Sequence, residues 1–122
     1  MADLWPLVND YLEYLQVEKG FSLLTIRNYE HYLKRFADWT DTAVPQVKPE
    51  DITPDVVRQY RLHLARLTDA HGDGLNKLTQ GYHLVALRGF LRYLVVQRRI
   101  DTLSPDTIQL PKQATRTVQF LN

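Results

Sequence analysis

The 122-residue chain contains no cysteine. This absence excludes a disulfide scaffold, a cysteine-based zinc site and a thiol nucleophile, and it makes the cytoplasm, a reducing compartment, the expected location. No apolar run approaches the roughly 20 residues of a membrane span. Residues 1–6 also lack the basic and apolar regions of a secretory signal. No membrane partner is therefore expected.

The chain also has little net charge, +1 from fifteen Lys and Arg against fourteen Asp and Glu. Such a balance argues against a strongly basic nucleic-acid-binding protein. The distribution of charge along the chain favours nucleic-acid binding instead, because no acidic residue lies between Asp73 and Asp101. The basic residues of that window are Lys77, Arg88, Arg92, Arg98 and Arg99. A segment of +5 is therefore set against a remainder of −4.

Complete active-site patterns are missing as well. The only serines, Ser22 and Ser104, precede a predicted helix and a proline, and neither lies in a nucleophile elbow. The turn at Gly72 and Gly74 lacks the lysine and the spacing of a phosphate-binding P-loop. The four histidines show no metal-ligand spacing. We therefore assign no catalytic residue, metal or cofactor to this chain.

Apolar residues recur with helical spacing almost throughout the chain, which predicts an all-α protein. Start and stop signals place four helices, at about residues 4–19, 23–41, 54–67 and 77–99. The residues expected to cap three of these starts are Ser22, Thr53 and Asn76. The predicted architecture is a small four-helix bundle with a short extended C-terminal tail.

The C-terminal tail differs from this bundle. Residues 115–121 alternate apolar and polar side chains as a strand does, yet they are too few to form a sheet alone. We therefore expect residues 1–111 to form the helical domain. Residues 112–122 are expected to be a linker and the start of a further domain.

The basic residues of the fourth predicted helix fall mostly on one side of it. At about 100° per residue, five positions share a sector of roughly 60°. They are Lys77, Gly81, Arg88, Arg92 and Arg99, and the glycine leaves the sector open. A stripe of one sign suits a polyanion such as nucleic acid, although the surface helices of many proteins also carry several arginines. The stripe leaves both interpretations open.

Two of the predicted helix starts share a cap followed three residues later by threonine. Ser22 precedes Thr25, and Asn76 precedes Thr79. Helix N-termini bind phosphate through free N–H groups and a positive dipole end, and a threonine hydroxyl can add to such a contact. The alternative is that both threonines only support the caps.

Three stretches of the sequence resemble phage-integrase and Xer-type tyrosine recombinases. The first runs from Val8 to Trp39 and includes Lys19-Gly20-Phe21-Ser22-Leu23-Leu24-Thr25-Ile26-Arg27-Asn28-Tyr29. The second, over residues 78–94, contains Ala86-Leu87-Arg88-Gly89-Phe90. The third is the exit at residues 104–112, where the family usually has Asn-Pro in place of Ser104-Pro105. The resemblance covers about residues 7–113.

This resemblance implies a SAM-like core-binding domain that clamps one face of duplex DNA. In the family the second and fourth helices meet the DNA near the cleavage site, and four protomers act on two sites. The family's catalytic residues, including the tyrosine that bonds covalently to DNA, belong to a separate C-terminal domain. We therefore carry none of them over, and do not expect this chain to be an enzyme by itself.

The candidate DNA contacts combine the two helix starts with the basic stripe. They are Ser22, Thr25, Arg27, Asn28, Lys77, Thr79, Gln80, His83, Arg88 and Arg92. Gln80 and His83 either reach base edges or lie beside the core. Two other functions stay open: a SAM-like protein-interaction bundle with an acidic partner, and a stand-alone regulatory DNA-binding protein.

Overall fold

A computed structural model describes residues 4–110 of the chain. The helices within this part are α1 (Trp5–Val17), α2 (Leu23–Ala43), α3 (Pro54–Arg66) and α4 (Lys77–Val96). Short 3-10 turns lie at Pro49–Asp51 and Pro105–Thr107. The prediction of an all-α bundle of four helices is confirmed. The predicted strand-like segment and the linker over residues 112–122 lie outside the described residues.

Helix α4 is the central element of the bundle. It packs along α2 and also contacts α1, α3 and the turn at Pro105–Thr107. Nine of its twenty residues are buried, which leaves little of its surface free. The fully buried apolar residues of α4 include Leu87, Phe90, Leu91 and Leu94. The geometry around α4 therefore decides what the molecule can present to a partner.

An aromatic cluster joins α1 to α4. The ring of Tyr11 lies 5.8 Å from that of Phe90 and 5.3 Å from that of Tyr93, measured between centroids. Gly89 faces the same tyrosine: a Cβ at Gly89 would overlap the Tyr11 hydroxyl, whereas the ring carbon Cζ would be 3.6 Å away. The missing side chain thus lets the two helices approach.

Helices α1 and α4 end in the same chain reversal. Phe21 N–H donates to the Leu15 carbonyl over 3.0 Å, and Ile100 N–H donates to the Leu94 carbonyl over 2.9 Å. The left-handed residue is Gly20 (φ 67°) after α1 and Arg99 (φ 54°) after α4. Because this reversal stops α4 at Val96, the predicted end at residue 99 was wrong by three residues.

The three predicted caps are confirmed. The Ser22 hydroxyl accepts from Thr25 N–H over 3.2 Å, and the Asn76 carbonyl oxygen accepts from Thr79 N–H over 2.8 Å. Thr53 caps α3 in the same way. Within residues 4–110, no helix is both long and apolar enough to cross a bilayer, and no group of His, Asp and Glu side chains is placed to hold a metal ion.

Candidate nucleic-acid interface

The start of α2 is an open, positively polarised helix end. No acidic residue lies in its first turn, and the Leu23 and Leu24 N–H groups have no acceptor within the helix. The two leucine side chains are 67% and 65% exposed. The hydroxyls of Ser22 and Thr25 lie 3.0 Å apart at the same end. Thr25 therefore supports the cap and still presents a polar group beside the free N–H groups.

The start of α4 has the same character. Asn76 caps it, Lys77 is exposed, and its first turn holds no acidic residue. Gln80 donates its side-chain N–H to the Leu75 carbonyl over 2.9 Å, so part of its hydrogen-bonding capacity holds the preceding loop. Thr79 is partly buried within the first turn.

His83 is a core residue, only 1% exposed. Its Nδ1 lies 2.8 Å from the Thr79 carbonyl oxygen, and its Nε2 lies 3.0 Å from a terminal nitrogen of Arg35. A carbonyl only accepts and a guanidinium only donates, so Nδ1 carries the proton and Nε2 accepts. Burial lowers the pKa of His83, and the nearby charge of Arg35 lowers it further. Of the two positions the sequence left open, the structure places His83 at the core.

The predicted site residues of α4 lie on two different flanks. The α2 flank carries Thr79 and His83, together with Tyr82, which was not predicted: the Tyr82 and His83 rings lie 6.4 and 4.6 Å from that of Tyr32 in α2. The exit flank carries Lys77, Arg88 and Arg92 and faces the segment after α4. At about 100° per residue, Arg88 lies about 180° from Thr79. The structure therefore does not bring the basic stripe together with the threonine.

The basic stripe is smaller than the sequence predicts. Arg92 pairs with Asp106 over 3.2 Å, and Arg99 lies in the left-handed turn beyond the helix. Gly81 is buried, so the sector is not open at that position. Lys77 and Arg88 remain, and neither forms an ion pair with another residue of the described chain.

Three basic or titratable residues recur every fourth position along one side of α2: Arg27, His31 and Arg35. Arg27 and His31 are exposed, and Arg35 is partly buried. Neither arginine forms an ion pair within residues 4–110. Arg27 was among the candidate contacts predicted from the sequence, whereas His31, Arg35 and Tyr82 were not. The sequence does show Arg27, His31 and Arg35 at every fourth position of α2. Lys34 and Asp38, which pair with each other, lie between and beyond them and make this pattern harder to recognise.

The starts of α2 and α4 are well separated in space. The first turns of α4 lie beside the middle of α2, where His83 meets Arg35. Thr25 precedes Arg35 by ten residues, which corresponds to roughly 15 Å along the helix. The two starts therefore contact different groups on any shared partner.

Comparison with known proteins identifies the relatives of this sequence. Residues 8–98 match the family model described as "Phage integrase, N-terminal SAM-like domain". The protein named tyrosine recombinase XerC from Bacillus subtilis (strain 168) is 29% identical over 121 residues, covering 99% of this chain and 38% of its own length. The protein of the same name from Bacillus licheniformis is 32% identical over 122 residues, covering the same shares of the two chains.

A protein named tyrosine recombinase XerD, from Listeria innocua, is 28% identical over 116 residues. That similarity covers 95% of this chain and 37% of the relative. The chain thus spans less than two-fifths of the length of these relatives. No solved structure gives a significant match.

Proposed function

Since the chain belongs to the family of phage integrase N-terminal, SAM-like domains, we propose that it is the DNA-binding domain of a site-specific tyrosine recombinase or integrase. In this proposal it clamps one half-site of a recombination site during DNA integration or recombination. The partners are double-stranded DNA and further protomers of the complete recombinase, four of which act on two sites.

The observation that carries this proposal is a difference among the three capped helix starts. All three use a side-chain cap onto the third N–H, but α3 has Asp55 in its first turn and α2 and α4 have no acid there. An acid at a helix start repels phosphate, and an open start attracts it. Of the three capped starts, those of α2 and α4 therefore suit a polyanion.

The length of α2 fits duplex DNA. Roughly 15 Å of it lies between Thr25 and Arg35, which meets His83 in the second turn of α4, and the B-DNA major groove is about 12 Å wide. A domain with one helix start at each groove edge can contact phosphates on both strands. His31, which lies on α2 between the two starts, would then face the groove.

Most of the assigned contacts are to phosphates, which position the domain without reading sequence. The phosphate-contacting candidates are Ser22, Thr25, Arg27, Asn28, Lys77, Thr79, Arg88 and Arg92. Gln80 is the remaining candidate for a base edge. His83 is buried, so it would support the interface without contacting DNA itself.

The complete recombinase would cut and rejoin DNA through a covalent tyrosyl-phosphate, as the family does. We place that chemistry in a separate domain, and we place residues 1–111 in the DNA-binding domain. Residues 112–122 would form the connection between the two.

Salt dependence tests the proposal. Contacts to about five phosphates predict a log–log slope near −4.5, hence a loss of affinity of about 500-fold between 50 and 200 mM salt. Fluorescence anisotropy with a labelled 30-bp duplex measures it. Arg88→Ala should weaken binding similarly on all sequences, because a phosphate contact carries no sequence information.

The outcome also separates the competing functions. A flat salt response, or no binding to duplex DNA at 50 mM salt, would favour the protein-interaction bundle and exclude the DNA-binding role. An Arg88→Ala variant that binds like the parent at low salt would remove the exit flank from the interface. A stand-alone regulatory protein would bind DNA without assembling on paired half-sites.

A further inference from the structure

Arg35 is a partly buried cation without an acidic partner in the described chain. Its one hydrogen bond there is the 3.0 Å contact to His83, although a guanidinium carries five N–H donors. The remaining guanidinium N–H groups have no protein acceptor within residues 4–110, and the side chain is partly exposed. Arg35 is therefore available to an anion from outside the described chain.

Apart from Asp38, which lies three residues later on α2 and pairs with Lys34, the titratable groups around Arg35 are neutral or basic. Helix α2 contributes His31 one turn earlier, and α4 contributes neutral His83. Helix α3 contributes Tyr60 and His63, and Arg35 is close enough for its charge to act on the pKa of both. The hydroxyl of Tyr60 is buried and lacks a hydrogen-bond partner among the described residues. The arrangement offers donors and positive charge, and the nearby carboxylate of Asp38 is held by Lys34.

His83 holds this guanidinium in place. Its Nδ1 proton is committed to the Thr79 carbonyl, so the Nε2 lone pair faces Arg35 and accepts from it. One imidazole ring thus links Arg35 to the first turn of α4. The same bond holds the guanidinium against the second turn of α4.

We propose that Arg35 binds a DNA backbone phosphate at the junction of α2 with the start of α4, and that neutral His83 is its positioning residue. This inference rests on the DNA-binding function proposed above. It adds a phosphate contact on α2, on the same side of the helix as Arg27 and His31. A guanidinium held in a fixed orientation matches the planar geometry of two phosphate oxygens.

The experiment compares charge-removing variants of two arginines. The parent, Arg35→Gln and the control Arg58→Gln are titrated with the labelled 30-bp duplex between 50 and 200 mM salt. Arg58 is an exposed α3 arginine paired with Asp55, so its loss controls for net charge. We expect Arg35→Gln to lower affinity about tenfold at 50 mM salt and to make the salt slope shallower by about 0.9. Arg58→Gln should stay within about twofold of the parent.

Variants of His83 test the positioning role. His83→Leu removes the acceptor and should weaken binding, but not further in the Arg35→Gln background, because it acts only through Arg35. His83→Gln restores an acceptor near the position of Nε2 and should recover most of the affinity. Long-range ¹H–¹⁵N NMR should show His83 neutral at pH 6.5 with its proton on Nδ1. Thermal unfolding checks that each variant is folded, and if His83→Leu is not, the other variants and the NMR spectrum decide.

The outcomes keep this inference distinct from the proposed function. If Arg27→Gln makes the slope shallower while Arg35→Gln retains the parent slope, DNA binding stands and the role of Arg35 is refuted. A proton on Nε2 of His83 refutes the positioning role alone. If the parent does not bind the duplex at 50 mM salt, the proposed function and this inference both fail.

Discussion

The two flanks of α4 contrast in how their basic groups are compensated. On the exit flank, Arg92 pairs with Asp106 from the segment that follows the helix. On the α2 flank, Arg35 and Arg27 of the neighbouring helix have no acidic partner in the described chain. The exit flank has more cations in the sequence, but part of its charge is neutralised. The α2 flank has fewer cations and keeps its charge. A charge count along one helix does not measure the field that a partner meets.

The largest expected effect is a loss of folding stability, which would disrupt both flanks together. Phe90 is fully buried in the core beneath them, so Phe90→Ala should lower the free energy of unfolding by about 3–5 kcal/mol. Urea denaturation measures the change, with Val96→Ala, an exposed position on the same helix, as a control that stays within about 0.5 kcal/mol. A small loss for Phe90→Ala would mean that the flanks do not share this core.

The next largest effect comes from removing single helix caps, which separates a change in stability from a change in DNA binding. Ser22→Ala, Thr53→Ala and Asn76→Ala each remove one cap and should each cost about 1 kcal/mol of stability. Only the Ser22 and Asn76 variants should also weaken binding to duplex DNA, since α3 has Asp55 in its first turn. Thermal unfolding and anisotropy on the three proteins measure the two quantities. Equal effects of all three variants on DNA binding would contradict the assignment of the two open helix starts.

The smallest effect concerns the exit flank alone. Asp106→Asn frees Arg92 from its exposed ion pair and should raise DNA affinity a few-fold at 50 mM salt, because a guanidinium becomes available to phosphate. Stability should change by less than about 0.5 kcal/mol, as is usual for exposed pairs. Asp10→Asn, which releases Arg98 from its ion pair, is a control for the change in net charge, because neither residue is among the proposed contacts. An equal gain in both variants would show that net charge alone is responsible.

Local features of this molecule could be predicted from the sequence, and tertiary ones could not. Ser22, Thr53 and Asn76 were identified as caps because a cap depends on residues three positions away. The bond between Arg35 and His83 joins positions 48 residues apart, and the pairing of Arg92 with Asp106 depends on how the chain reverses after α4. Arg99 adopts a left-handed backbone at a position where glycine is the usual residue, so no local signal marked that reversal.

The close approach of Gly89 to Tyr11 has a consequence for how sequences of this kind diverge. A Cβ at position 89 would overlap only the tyrosine hydroxyl, which would have to shift, since the ring carbon behind it would be in ordinary contact. A change from glycine to alanine at position 89 should therefore cost less stability when position 11 is phenylalanine than when it is tyrosine. We expect these two positions, far apart in the chain, to vary together among related sequences.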